Sequence, residues 1–416
     1  MTNTLTALNP RINCSGSDSA DPATLIVAET VSVVLDRFQS QLRAIVLTGS
    51  MARGEASFVQ TPGGWNTLGD CEMVLVFKSN EPLPSLSHRA NIQREIELRL
   101  QQLGIVCPLG LSPVHSAYLL NLAPSIYGYE LRRCGRVVWG DTSVLTLIPE
   151  FSPRDIPRED ALKMICNRMI EHLMVDCGYS EHNPSGRTIA DYATVKLSLD
   201  LATSYLIFAG EFVQTYGERS SRLLQLADKM SANDDVPFPL GPFAALVKRL
   251  TFWKLSSDSG VLTNEPLLMS RVRDYARRLW RWELRLLTGD RQTLPDQDLM
   301  RRWMRSQSLP QRIRGWASLA RKSGGLGSWK EWPHWTRLGL SGSPRHWIYA
   351  AGSGLFFQLP FLAGDSVGAR PNPSLQMWRG WLPARPKQEK EQRISWHQLA
   401  SEINWNYRNF LMETNA

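Results

Sequence analysis

The sequence predicts an α+β front domain, a small mixed sheet with helices, followed by a mainly α-helical C-terminal region. Three observations predict it. Short apolar runs alternate with amphipathic helical patterns over the first 150 residues. After Pro157 the strand-like runs cease and helical periodicity takes over. The charge also divides: residues 1–150 carry 11 Lys+Arg and 13 Asp+Glu, whereas the remainder carries 36 and 26, so the net +8 of the 416-residue chain resides in its rear. A near-neutral front and a basic rear suggest two jobs, with the rear meeting something anionic.

The elements follow in order. Residues 1–22 are polar and rich in Ser, Asp and Asn, which predicts a disordered tail, and they lack the basic-then-apolar order of a secretory signal. Residues 23–41 have apolar positions at helical spacing. RAIVLTG predicts a buried strand ending in Gly49, and MARGEASF a short helical turn. QTPGGWNTLG predicts a loop broken by Pro-Gly-Gly, and CEMVLVF a second strand. LSHRANIQREIELRLQQLG is a helix with a Gly stop. VHSAYLLNL and YGYELRRCGRVVWGD read as strands, the latter two joined by a Cys-Gly turn. Helices are then expected over 158–177, 188–210, 217–231, 241–256, 265–288, 294–321 and 394–412, with connectors at 234–242 and 321–329 and a loop over 364–393. The resulting domains are 23–150, a helical bundle over 151–292, and a Trp-rich helical or irregular extension over 293–416. Thirteen of fifteen tryptophans follow residue 250.

Several chemistries are excluded. No apolar run approaches 20 residues, so no membrane span is expected. GxxxxGK[ST], GxSxG and HExxH do not occur, and the histidines of HRAN and SPRHW stand alone in sequence. The six cysteines (14, 71, 107, 134, 166, 177) lack ligand spacing and predict reduced thiols in a cytoplasmic protein.

One constellation carries chemistry. In a strand, residues two apart face the same way, so Asp70 and Glu72 project together. Adjacent carboxylates stay ionised when something positive lies between them, and Mg²⁺ is commonly held by one or two carboxylates plus water and substrate phosphates. The preceding strand ends in Gly49-Ser50 at a helix start, where backbone N–H groups suit a phosphate. A phosphate seat beside a carboxylate pair is the apparatus of phosphoryl or nucleotidyl transfer. The other reading of the two acids is a solvent-facing edge strand.

IVLTGSMARGEAS followed by LGDCEMVLVF resembles the polymerase-β-like nucleotidyltransferase superfamily, whose signature is an apolar strand, Gly-Ser, a helix, then Asp-apolar-Asp/Glu-apolar. The Gly-Ser-x-Ala-Arg-Gly-x-Ala form is especially like the kanamycin and aminoglycoside nucleotidyltransferases and the small antitoxin-type members. The motif covers about residues 44–78, and the strand–helix layout extends the likeness to about 150. The resemblance implies a nucleotidyltransferase fold that binds an NTP, ATP by preference, with Mg²⁺. Gly49 and Ser50 would hold the β- and γ-phosphates, and Asp70 and Glu72 the metal. The reaction would transfer an NMP to a hydroxyl acceptor with release of pyrophosphate.

Other residues keep two readings each. Arg53 touches the triphosphate, or pairs with Glu55 or a neighbour. Trp65, in a loop longer than in most relatives, lids the nucleotide or anchors the loop. The family's third carboxylate is missing from GIVCPLGLSPVHSAYLL, which leaves Glu130, otherwise an edge-strand acid paired with Arg132 or Arg133, or His115 as base. Lys196, the lone cation in an apolar helical stretch of a region resembling the helical domains attached to such folds, reaches the triphosphate or snorkels near Asp200. Residues 271–314, with 12 Arg and 5 acids among Trp280, Trp282, Trp303 and Trp316, make an RNA surface or a solvated face over a Trp-rich core. The rival to the enzyme is a catalytically weak or inactive nucleotide-binding protein of the same fold; an RNA-modifying nucleotidyltransferase is the third reading.

Overall fold

The computed structural model describes residues 21–178, 184–229, 235–256, 267–290, 294–322, 331–358, 373–384 and 394–412. Of the tail expected over 1–22, residues 1–20 lie outside these residues, whereas Asp21 and Pro22 open a helix; most of the connector expected at 321–329 and of the loop expected over 364–393 also lies outside. The chain forms two compact units. The first comprises residues 1–157 together with 210–222 and 251–261; the second comprises the rest.

The first unit holds helices α1 (Pro22–Phe38), α2 (Gly49–Ala52), α3 (Leu86–Gln102), α4 (Ser116–Leu120) and α5 (Ile126–Cys134). Its strands are β1 (Leu42–Thr48), β2 (Phe58–Thr61), β3 (Gly64–Thr67), β4 (Cys71–Phe77), β5 (Ile105–Val106), β6 (Leu109–His115) and β7 (Arg136–Gly140). The main sheet has the order β6-β4-β1-β7. β1 runs antiparallel to β4 and β7, and β4 runs parallel to β6. This is the small mixed sheet that the sequence predicts.

Strand alternation builds two cores. Ile45, Leu47, Cys71, Met73, Leu75 and Phe77 face α1 and α3. Ala44, Val46, Val74 and Val76 face the other way, onto Leu119, Leu131, Val144 and Ile148. α1 starts where Asp21 accepts the Ala23 N–H and Pro22 takes the first helical position. α3 starts at the Ser85 cap and buries Ile92, Ile96 and Leu100, a single stripe at spacing four.

Three expected elements differ. QTPGGWNTLG is a hairpin, β2 and β3, turning at Pro62-Gly63. Gly64 (φ +125°) comes so close to Gly104 that a Cβ would lie 1.9 Å from its carbonyl oxygen, and Trp65 N–H donates to that oxygen (2.7 Å). β3 thereby gains β5 as a parallel partner, and Trp65 packs on the main core as an anchor. VHSAYLLNL is the end of β6 followed by α4. YGYELRR is helix α5, because Ser125 accepts the Gly128 N–H as an N-cap and Tyr129 and Leu131 are buried. Glu130 is therefore a helix residue, not an edge-strand acid.

Segment 210–222 carries the first half of α8 (Tyr216–Lys229), and segment 251–261 the end of α9 (Leu240–Leu255). The second unit holds α6 (Arg158–Gly178), α7 (Pro184–Phe208), α10 (Leu268–Thr288), α11 (Asp296–Ser306), α12 (Leu309–Lys322), α13 (Trp332–Gly339), α14 (Pro344–Phe356), α15 (Pro373–Gly380) and α16 (Trp396–Tyr407). The expected 294–321 helix is two, α11 and α12, broken at Gln307-Ser308. α13, α14 and α15 are absent from the sequence reading. α14 explains why: its residues His346 to Phe356 are all buried, and a helix apolar on every side shows no amphipathic period.

Candidate functional site

The carboxylate pair sits at the opening of β4. Cys71 N–H donates to Pro108 O (2.9 Å), which starts the β4–β6 pairing one residue after Asp70. Every β4 residue except Glu72 is buried, and both Asp70 and Glu72 are exposed. By alternation Glu72 belongs to the sheet face that carries Val74 and Val76, at the end where that face is no longer covered. It stands opposite Thr48 on β1 and Gly110 on β6.

The Gly-Ser bend is directly against this acid. Gly49 has φ +69°, a left-handed conformation, and a Cβ on it would lie 2.6 Å from the Glu72 Oε2. Glycine is needed twice here, for the turn and for the close approach. Ser50 follows, half-buried, in the first turn of α2. α2 packs on β1, β4 and α5, and Thr48 supplies no side-chain cap. The first-turn N–H groups have no intrahelical acceptor.

The surroundings are polarised by the two acids. Desolvation pushes the buried Cys71 thiol well up, and Cys107, Asp70 and Glu72 push it further. Burial, then Tyr118 and Glu72, raises the Tyr127 phenol. Tyr127 sits on α5, over a stretch that the sequence reads as a strand. Two exposed carboxylates with an open side fit an ion that takes few protein ligands, as Mg²⁺ does. Among the described residues, no three His, Cys, Asp or Glu side chains group into a metal cage.

The remaining expected residues are placed differently. Gly110 occupies the position on β6 beside Glu72, so no acid stands there. Glu130 is committed elsewhere. Its Oε2 accepts from Arg53 Nη1 (2.9 Å) and its Oε1 from Arg219 Nη2. Arg53 Nε also donates to Glu55 Oε2 (2.8 Å), and Glu55 Oε1 accepts the Tyr216 N–H (2.7 Å). Arg219 further donates to Val213 O and Gln214 O and lies over the Phe212 ring at 4.7 Å. Burial alone would lower the Arg53 pKa; Glu130, Tyr216 and Glu55 outweigh it and hold the guanidinium above its ordinary value. Two cations and two anions make this buried cluster neutral, and it fastens the chain just after the Gly-Ser bend to α5 and to segment 210–222. Of the two readings of Arg53, ion pairing is the one observed.

His115 ends β6 five residues beyond Gly110, about 16 Å along the strand, with Nε2 2.8 Å from Glu81 O. Lys196 lies on α7 in the second unit, one turn before Asp200, whose carboxylate takes Arg168 Nε at 2.7 Å. In α10 and α11 several arginines meet aspartates: Arg277 and Arg281 share Asp296, Arg278 pairs with Asp274, and Arg302 with Asp290. Trp280, Trp282 and Trp303 are buried core residues. The described Cys71, Cys107, Cys134 and Cys166 are free, and no helix among the described residues is long and apolar enough to cross a membrane.

Compared with known proteins, the chain matches no family model and no curated sequence.

Proposed function

We propose that the first unit is a nucleotidyltransferase domain that moves an NMP from an NTP to a hydroxyl acceptor and releases pyrophosphate. One observation carries the reading: the Glu72 carboxylate rests on the Gly49 backbone, at the one exposed position of β4, with Asp70 two residues away. A phosphate seat and a metal-binding acid are otherwise unrelated features, and here one glycine serves both.

The roles follow from the side chains. The Gly49 turn lets a phosphate approach the backbone closely, and the first-turn N–H groups of α2, with the Ser50 hydroxyl, would donate to its oxygens. Asp70 and Glu72 would hold Mg²⁺, which supplies neutralisation of triphosphate charge and alignment of the attacking and leaving oxygens. In this reading Arg53 and Glu130 brace the bend through the buried ion cluster, Arg53 engaged by Glu55 and Glu130 and Glu130 by Arg53 and Arg219.

A second reading is favoured by one specific feature. The third acid that the resemblance leads one to expect is missing from GIVCPLGLSPVHSAYLL, Gly110 of that stretch stands beside Glu72, and both Glu130 oxygens accept from arginines. A protein so built binds a nucleotide and turns it over slowly or not at all. Equilibrium dialysis with ATP, with and without Mg²⁺, paired with pyrophosphate release over a panel of hydroxyl acceptors, separates the two. Binding with release supports the transferase, and binding without release supports the rival. Absence of Mg²⁺-dependent ATP binding overturns both. An RNA acceptor gains no support from Arg277, Arg278, Arg281 and Arg302, which are met by aspartates.

A further inference from the structure

The second unit contains a partly enclosed cavity of about 290 Å³ between the start of α6, the α11–α12 junction with α12, the start of α14 and the chain end after α16. Lys163, Arg314 and Arg345 line it, opposed by a single acid, Glu159. Glu159 is already held: His346 Nε2 lies 2.9 Å from its Oε1, and Lys163 Nζ 3.7 Å. His346 Nδ1 in turn meets Ser343 Oγ at 3.0 Å. Burial lowers the His346 pKa, so the imidazole adds no charge near neutral pH. The lining therefore carries a net charge of two positive units.

In α10 and α11, Arg277, Arg278, Arg281, Arg301 and Arg302 are answered by aspartates. Arg345 has no ion-pair partner among the described residues, and the bond recorded for Arg314 is a long one, Nε to Pro310 O at 3.3 Å in its own helix. Uncompensated guanidiniums gathered around one small space favour an anion with several oxygens. Ser318 and Gln311 add neutral donors, while Phe410 and Leu411 give one apolar wall. A tetrahedral dianion answers both the charge and the spread of donors better than a planar monoanion does.

We propose that this cavity binds a small phosphomonoester, its phosphate held by Lys163, Arg314 and Arg345 and its organic part set against Phe410 and Leu411. The site is independent of the nucleotide reading of the first unit. Neither SPRHW nor QRIRGW signals it in sequence, because the helices that bring them together are distant along the chain.

The test is calorimetric titration of the full chain at constant ionic strength with three probes: phenyl phosphate, inorganic phosphate and benzoate. Saturable one-site binding is expected in the order phenyl phosphate, phosphate, benzoate. Arg314→Gln with Arg345→Gln should weaken phenyl phosphate by about tenfold or more, the worth of one charge-assisted hydrogen bond. Phe410→Ala should weaken phenyl phosphate while leaving inorganic phosphate unchanged. Asp70→Asn should leave all three unchanged, which separates failure here from failure of the first site. Circular dichroism checks that the variants fold, and Arg345→Lys provides a milder second variant that retains the charge. No saturable phenyl phosphate binding, equal affinity in the double glutamine variant, or benzoate binding as tightly as phenyl phosphate overturns the proposal.

Discussion

Replacing Gly49 with alanine tests the candidate site at its narrowest point. The native φ of +69° is left-handed, which costs an L-residue about 1–2 kcal/mol. The added Cβ would also fall 2.6 Å from the Glu72 Oε2. That oxygen ends a flexible side chain, so the carboxylate swings aside at little further cost to stability. Urea denaturation should therefore report a loss of about 1–2 kcal/mol for the first unit. Function should suffer more. A displaced carboxylate forfeits a charged interaction of about 1.5–3 kcal/mol, or roughly a 10- to 100-fold loss in Mg²⁺-dependent ATP affinity. Equilibrium dialysis with and without Mg²⁺ measures it. Gly110→Ala is the matched control, because its Cβ would make an ordinary 3.6 Å contact with Glu72 Cγ; it should change stability by no more than about 0.5 kcal/mol. If Gly49→Ala binds Mg²⁺–ATP as tightly as the natural chain, the acid and the bend do not form one site.

Further outcomes follow from the same geometry. Asp70→Asn, at an exposed position, should abolish turnover while shifting the urea midpoint by less than about 0.5 kcal/mol equivalent; undiminished pyrophosphate release would defeat the transferase reading. Glu130→Ala leaves two guanidiniums, Arg53 and Arg219, with side chains only 5% and 4% exposed, against Glu55 as the remaining carboxylate of the cluster, so the cluster keeps an excess buried positive charge and unfolding should be easier by about 3–5 kcal/mol; a change below about 1 kcal/mol would mean the cluster is not a structural unit. Glu283, fully buried with one bond from Ser204 Oγ (2.6 Å), has its pKa raised by burial to about 8. A raised folded-state pKa gives stability that is complete below the unfolded value near 4.5 and lost as pH climbs through 8. Denaturation at pH 5 and pH 8.5 should thus differ by on the order of 2–4 kcal/mol, and Glu283→Gln should flatten the profile; an equal slope in that variant would refute the assignment.

Local signals were enough for part of this molecule. The apolar run CEMVLVF could be read directly as β4, and the stripe of Ile92, Ile96 and Leu100 as α3, because strand and helix periods survive in sequence wherever one face is buried. A glycine before Ser50 announced a bend. Partnership was decided by tertiary structure. Register alone put Gly110 beside Glu72, and an N-cap at Ser125 turned YGYE from strand to helix, carrying Glu130 to Arg53 and Arg219. α14 left no period to read, because burial on every side erases it. Composition and spacing record what each segment buries. Which charge answers which across a hundred residues is fixed only when the chain has closed, since the Coulomb energy of a pair depends on distance and burial that no local pattern contains.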